Sequence, residues 1–216
     1  MGATAKIVDL RKVLAERFPQ KAAAPNALLP TSISVLDQVA GGGLPKSAIT
    51  ELIGPPRNAG SASLIHTFLQ SAQRDRYFLA LIDGNDSFDP GSADPGCLPH
   101  LLWVRCRNTF ETIKAADFLL RDGNFPLVVV DLVLNSPEEL RKIPQTSWYR
   151  LQRLVENTSS ACVILSRKSM VSSAQLKIVL ENSWRLKDLE QEESVAAMRF
   201  RTQRTHLKAE IRSQVS

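Results

Sequence analysis

Residues that bind metals or form disulfides are scarce in this chain. Its 216 residues include only three cysteines (Cys97, Cys106 and Cys162) and three histidines, and no two cysteines have the C-x-x-C spacing of zinc ligands. This scarcity argues against a structural zinc site and against a disulfide framework, so we expect reduced, mostly structural thiols. We expect neither a metal nor a cofactor.

Long apolar runs are also lacking. No segment approaches the roughly 20 apolar residues that a membrane-spanning helix needs, and residues 1–18 lack the apolar core of a secretory signal. We therefore expect a cytoplasmic protein without membrane contact. A hydrophobic fraction of 44% suits one sizeable α/β domain. The net charge of +5 allows contact with nucleic acid or with an acidic protein, but it selects neither.

The composition divides the chain into four parts. Residues 7–18, IVDLRKVLAERF, place their apolar side chains on one helical face, which predicts an amphipathic helix within residues 1–20. The alanine- and proline-rich residues 21–30 predict a linker. A core domain is expected over 31–208 and a tail over 209–216. Packing of the helix on its own domain and docking on a partner are equally compatible with the sequence.

Strands and helices alternate along the core domain. This rhythm predicts an α/β fold with a mostly parallel central sheet and helices on both faces. After Ser166 the segments 178–189 and 196–207 alternate more in polarity, which predicts an antiparallel pair at one edge of the sheet. The predicted strands are 48–54, 77–83, 101–106, 126–132 and 161–166, and the predicted helices are 32–39, 61–74, 111–123 and 146–157.

A glycine-rich loop follows the first of these strands and precedes a helix, the arrangement that surrounds a nucleotide's phosphates with backbone amides. A competent loop reads G-x-x-x-x-G-K-[ST]; its lysine offsets phosphate charge and its hydroxyl binds magnesium. Here five residues rather than four separate Gly54 from Gly60, and Ser61 and Ala62 take the lysine and hydroxyl positions. The lost charge-assisted contact alone is worth about 1.5–3 kcal/mol. The loop is a degenerate P-loop, and we expect no ATPase activity.

The flanking motifs resemble those of the RecA family. Residues 31–55 carry a threonine-led short helix with Leu36-Asp37, the string G-G-L-P and a strand that ends in Gly-Pro. Residues 82–90 resemble the family's I-D-x-E-x-x-x-D-P segment, and the strand that ends in Asp131 resembles its Walker B strand. The resemblance implies a RecA-like, P-loop-type core over residues 31–208.

Two departures concern catalysis. The family's catalytic glutamate falls at Asn85, whose amide cannot deprotonate a water molecule. Asp131 alone remains of the metal-binding groups, and a lone aspartate at a strand end is more often structural than a metal ligand. With the loop changes, these departures predict a pseudo-ATPase and no catalytic residue.

Further departures concern the segments where the family's two DNA-contacting loops are expected. The first is short and interrupted by Pro137 and Pro144, and the second, 167–173, is short and not glycine-rich. The family's mode of wrapping DNA is therefore not expected. Arg167 and Lys168 in the second segment have two interpretations, a DNA or partner contact and a solvated turn.

A cluster of basic residues near the C-terminal end of the core has the same two-sided interpretation. Arg199, Arg201 and Arg204 alternate in part with apolar residues. They are candidates for contact with a DNA backbone or with a partner. The alternative is a charged edge strand, which prevents sheets from pairing edge to edge.

A RecA-like core without ATPase chemistry is similar to the ImuA group of the SulA/ImuA-type proteins. That resemblance implies an accessory role in SOS-induced translesion DNA synthesis and mutagenesis. The implied partners are an inactive Y-family polymerase homologue of the ImuB type, an error-prone replicative-type polymerase, and RecA; DNA is expected to bind weakly if at all. Two alternatives remain open: a DNA-binding RecA paralogue in recombination, and a SulA-like inhibitor of cell division.

Overall fold

The computed structural model describes residues 27–54, 60–181 and 198–205, with the side chains of 204 and 205 left out. The predicted amphipathic helix, most of the predicted linker and the predicted tail lie outside these residues.

The described residues form nine strands and five α-helices. The helices are α1 (Ser34–Val39), α2 (Ser61–Arg74), α3 (Thr109–Asp122), α4 (Pro137–Arg141) and α5 (Gln145–Glu156). The strands are β1 (Leu28–Leu29), β2 (Leu44–Pro45), β3 (Ala48–Ile53), β4 (Leu79–Asp83), β5 (Leu101–Arg105), β6 (Leu127–Asp131), β7 (Ala161–Ser166), β8 (Leu176–Leu180) and β9 (Phe200–Thr205).

Seven strands form one sheet in the order β5-β4-β6-β7-β3-β8-β9. All neighbours are parallel except β8 and β9, which run antiparallel. The prediction of a mostly parallel sheet with an antiparallel edge is confirmed. The antiparallel step is confined to β9, because β8 itself pairs in parallel with β3. The short strands β1 and β2 form a separate antiparallel pair beside the sheet.

Helices cover both faces of the sheet, which explains why its central strands are almost wholly apolar. Alternate residues of β6 show the division. Leu127 and Val129 pack in the cluster beneath α1 and α2. Val128 and Val130 pack in the cluster beneath α3, α4 and α5. Each side of the sheet therefore has its own core.

The threonine-led turn before α1 has a local electrostatic cause. The Asp37 carboxylate accepts hydrogen bonds from the Thr31 backbone N–H at 3.0 Å and from the Thr31 hydroxyl at 2.8 Å. The turn after the helix requires glycine. Gly43 has φ +148°, and a Cβ there would lie 2.7 Å from the Leu29 carbonyl oxygen. This close approach lets the chain turn from α1 into β2.

The proline-interrupted segment after β6 begins with a short, well-capped helix. Pro137–Arg141 forms α4, and Ser136 caps it by accepting from the Glu139 backbone N–H while the Glu139 carboxylate accepts from the Ser136 N–H. The signal was present as S-P-E-E, a capping box with proline at the first helical position. In the described ranges, none of the helices has the length and apolar character needed to cross a bilayer.

Candidate functional site

The carboxyl ends of the parallel strands bring the candidate residues to one edge of the sheet. Gly54 follows β3, Asp131 ends β6, and β7 lies between these two strands. Since neighbouring strands are about 4.8 Å apart, the two ends are separated by about 10 Å. Asp83, which ends β4, is paired in register with Asp131. Both carboxylates lie on the α2 face of the sheet, because Leu81 and Val129, two residues earlier, belong to the α2 core.

The degenerate P-loop is described only at its two ends. Gly54 donates its N–H to the Ser166 carbonyl, and α2 begins after Gly60 without a side-chain cap. Residues 55–59 lie outside the described residues. A Cβ on Gly60 would lie 2.9 Å from Leu180 Cδ2 and 3.8 Å from Met198 Cε. Apolar side chains from β8 and from the residues before β9 therefore pack directly against the entrance to the helix.

The two residues at the lost lysine and hydroxyl positions form the first turn of α2. Ser61 is half-buried and Ala62 is exposed. Ser61 is neutral where the loop needs a lysine, and Ala62 has no hydroxyl where the loop needs a magnesium ligand. The first turn also lacks a charged residue, so this turn attracts an anion only through the helix N-terminus and neutral donors such as the serine hydroxyls.

Asp83 is committed to organising the loop that follows it. It is 1% exposed and accepts hydrogen bonds from the backbone N–H groups of Ser87 (2.8 Å) and Phe88 (2.7 Å). A third backbone N–H, that of Asn85, donates to it at 3.3 Å, and so does the Trp103 indole N–H. A carboxylate with this many donors shapes the turn rather than awaiting a ligand.

Asp131 has the opposite character. Its carboxylate is half-buried and accepts one hydrogen bond that the structure records, from the Val133 N–H at 2.9 Å. Burial raises the pKa of Asp131 to about 6; the Val133 hydrogen bond opposes the rise and the neighbouring Asp83 charge adds to it. Charge at this position is therefore disfavoured by its surroundings.

Asn85 is exposed to solvent in the turn that follows β4. β4 is the neighbour of β6, the strand that ends in Asp131. The structure thus brings Asn85, Asp131 and the ends of the degenerate loop to the same edge of the sheet. In the same turn, a Cβ on Gly84 would lie 2.6 Å from the Asp131 carbonyl oxygen. The close contact between the β4 turn and the end of β6 depends on that glycine.

The basic candidates lie near the same edge of the sheet. Arg167 and Lys168 are exposed in the connection after β7. Arg199 and Arg201 are exposed at β9, where Arg201 forms an ion pair with Glu181. The side chain of Arg204 lies outside the described residues, although its backbone pairs with Lys177. Both groups begin close to the loop ends. Ser166, which accepts from the Gly54 N–H, precedes Arg167, and Met198, which lies beside Gly60, precedes Arg199.

Sequence reasoning missed a buried ion pair on the opposite face of the sheet. Glu51 in β3 is fully buried, and its Oε2 lies 2.7 Å from Lys177 Nζ in β8. The other carboxylate oxygen accepts from the N–H groups of Met170 (2.7 Å) and Val171 (3.1 Å). Lys177 also donates to Ser169 Oγ at 2.7 Å. The pair therefore fastens the connection between β7 and β8. Glu51 stands in the RecA-type string of residues 31–55, but nothing local pointed to Lys177.

The described residues are a poor fit for the phosphates of a magnesium nucleotide. No lysine follows Gly60, Leu180 packs against the start of α2, and the oxygens of Asp83 are occupied by its own loop. In the described ranges, no group of three or more His, Cys, Asp or Glu side chains is arranged to hold a metal ion. We therefore derive no chemical step at this edge of the sheet.

Comparison with known proteins gives matches to RecA proteins. The chain is 36% identical over 113 residues to Protein RecA of Clavibacter michiganensis subsp. michiganensis, covering 51% of this chain and 31% of that protein. It is 32% identical over 120 residues to Protein RecA of Amycolatopsis mediterranei, covering 54% and 34%. The chain thus spans about a third of the length of the curated relatives it matches. No protein-family model matches the chain. Sheet topology and these similarities together give the chain a RecA-like fold.

Proposed function

We propose that this chain is a non-catalytic, RecA-like accessory protein that acts by binding other proteins during SOS-induced translesion DNA synthesis. One observation carries the proposal. The residues that a RecA-like site needs for phosphate, magnesium and water are changed together, at Ser61, Ala62 and Asn85, while the sheet that positions them is complete. A single change leaves room for compensation by a neighbour. When all three positions are changed together, the function that remains for the fold is binding through its surfaces.

The two strand-end carboxylates support the same proposal. Asp83 holds its own loop with two strong backbone hydrogen bonds. Asp131 has its pKa raised to about 6 by burial, so it is ionised at neutral pH only at a cost in stability. An edge that binds a magnesium nucleotide needs free, ionised oxygens.

The partners come from the resemblance to the ImuA group. They are an inactive Y-family polymerase homologue of the ImuB type, an error-prone replicative-type polymerase, and RecA. The test is co-expression of this chain with each partner and co-purification at physiological ionic strength. We expect a stable complex with at least one of the three. Absence of all three complexes, with each partner shown to be folded, would contradict the accessory role.

Loss of nucleotide chemistry has its own test. Isothermal titration with ATP and magnesium, alongside a RecA protein as positive control, should give no heat of binding for this chain at micromolar concentrations. Release of phosphate should equal that of the buffer blank. Micromolar binding of ATP with magnesium would overturn the pseudo-ATPase proposal, whatever the partner experiments show.

A DNA-binding role is the second candidate, because Arg167 and Lys168 are exposed at the end of β7. It requires affinity for single-stranded DNA that falls linearly with log salt, with a slope set by the number of phosphate contacts. The double variant R167A/K168A would reduce that slope, whereas R153A, at an exposed arginine on α5, would leave it unchanged. If R167A/K168A and R153A both bind single-stranded DNA weakly and without saturation, the accessory role is favoured.

A further inference from the structure

A groove lies between α3, α4 and α5, on the face of the sheet opposite α2. Its volume is about 650 Å³. The residues of α3 that line it are Phe110, Ile113, Lys114 and Asp117, which share one side of the helix by their spacing of three and four. Ile143 and Leu151 are among the apolar residues of its floor. The groove is separate from the degenerate P-loop, which lies on the α2 side.

The aromatic wall of the groove is unusually open. Phe110 is 76% exposed, although it lines the groove beside the buried Leu151. A pocket that encloses a small molecule covers its aromatic walls and directs a few polar groups inward. Here the wall projects into solvent, and its apolar area becomes buried only when a second surface covers it. This geometry favours a macromolecular segment over a small ligand.

The acidic side chains around the groove already have partners, whereas two of the basic side chains do not. Both carboxylates that line it are engaged: Asp117 pairs with Arg150 at 2.6 Å, and Glu139 accepts from the Ser136 N–H. The ammonium groups of Lys114 and Lys142 also line it, and neither has a hydrogen-bond or ion-pair partner among the residues that the structure describes. The groove therefore offers an apolar floor with two uncommitted positive charges.

We propose that the α3–α5 groove docks an amphipathic segment of a partner protein, with apolar residues at helical spacing flanked by carboxylates. The apolar side chains would cover Phe110, Ile113 and Ile143, and the carboxylates would pair with Lys114 and Lys142. Nucleic acid is a poorer match, because Asp117 and Glu139 interrupt the positive surface that a phosphate backbone follows. The inference rests on the proposed function, since it names the surface through which a partner would bind.

The test uses the full chain and two synthetic peptides of about 14 residues with the same leucine stripe at i, i+3, i+4 and i+7. One peptide carries glutamates beside the stripe and the other carries lysines. Binding is followed by fluorescence anisotropy, and the contact surface by amide chemical shifts. We expect the glutamate peptide to bind at least about fivefold more tightly at low salt, since two exposed charge pairs distinguish it. The preference should shrink as salt is added.

Three variants test the location and its charge. F110A should weaken the glutamate peptide at least about fivefold, as expected for truncation of an interface anchor. The matched control is F118A, because Phe118 is also on α3 and 69% exposed but does not line the groove. It should stay within about twofold of the parent, since residues outside a contact surface carry little binding energy. The double reversal K114E/K142E should invert the preference between the peptides. All of these positions are exposed, so loss of folding is not expected.

Other outcomes would overturn the proposal. Equal affinity for the two peptides would show that the charge of the groove does not select the partner. Equal effects of F110A and F118A would show that the peptide does not bind in the groove. Self-association that F110A abolishes would assign the groove to a second copy of the chain. Peptide binding that appears only after deletion of residues 1–20 would assign it to the chain's own N-terminal segment. A co-purified polymerase-type partner that F110A leaves bound would move the partner surface elsewhere and keep the proposed function.

Discussion

Replacing Lys177 by methionine should be among the most damaging single changes on the sheet. Its ammonium group is the countercharge of Glu51, and the two side chains are 7% and 0% exposed. Removing one partner of a buried ion pair costs about 3–5 kcal/mol, because the other charge stays buried without compensation. Here the Met170 and Val171 N–H groups continue to stabilise the carboxylate. We therefore expect K177M to cost about 3 kcal/mol, at the lower end of that range.

The assay is urea unfolding of four proteins: parent, K177M, E51Q and the double variant E51Q/K177M. The double variant buries no net charge at this pair, because both the carboxylate and the ammonium group are replaced by neutral side chains. It should therefore lose less stability than the two single losses added together, with an expected coupling of about 2 kcal/mol. R201M provides the control, because the Arg201–Glu181 pair lies on the same antiparallel edge but both side chains are largely exposed. It should cost less than about 1 kcal/mol.

The K177M variant also has a local readout that separates a fastening role from general destabilisation. Amide hydrogen exchange at Met170 and Val171 should accelerate in K177M more than exchange at the centre of β7 does. Additive single losses in the unfolding cycle, or a K177M cost below about 1 kcal/mol, would refute the assignment of Glu51 and Lys177 as a buried, coupled pair.

Three further predictions concern the carboxyl edge of the sheet. The raised pKa of Asp131 means that its stabilising contribution is complete below about pH 4 and is lost as pH rises through about 6; D131N should therefore gain up to about 3 kcal/mol over the parent at pH 7 and nothing at pH 4, measured by unfolding at both values. The variant S61K/A62T should not hydrolyse ATP, because Leu180 still packs against the start of α2 and residue 85 is asparagine rather than the catalytic glutamate. Phosphate release above the buffer blank would contradict this prediction. G84A should lower the melting temperature, since a Cβ there would meet the Asp131 carbonyl oxygen at 2.6 Å, and an unchanged melting temperature would show that the turn yields freely.

The strands and the parallel sheet were accessible from the sequence because each strand is a short apolar run bounded by turn residues. The segment 126–132 predicted β6 at Leu127–Asp131, and 161–166 matched β7. The predicted helix 111–123 corresponds to α3, which ends at Gly123 in the left-handed conformation, at φ +69°. Each of these features depends on neighbouring residues, so it can be recognised in a single sequence.

Features that depend on distant segments were not accessible. In the sequence Glu51 is the one charged residue of a mostly apolar strand, and its partner Lys177 lies on another strand far along the chain. The α3–α5 groove likewise depends on how α3 and α5 pack beside α4, which no single segment specifies. The role of Asp83 is an exception, because its main donors, the Ser87 and Phe88 N–H groups, are local and only the Trp103 indole comes from another strand, β5.

The contacts of the acidic side chains on the sheet indicate where this fold is satisfied from within and where it is open to a partner. At the carboxyl edge Asp83 is satisfied by its own loop, and Asp131 is in surroundings that favour its protonated form. On the other face, Glu51 is neutralised by Lys177 from within the chain. Asp83 and Glu51 are therefore satisfied from within the chain, whereas Asp131 is ionised at neutral pH at a cost in stability. At the surface, the ring of Phe110 is exposed and the ammonium of Lys114 has no partner within the described part of the chain. An acidic amphipathic segment of the kind proposed would cover the ring and pair with the charge.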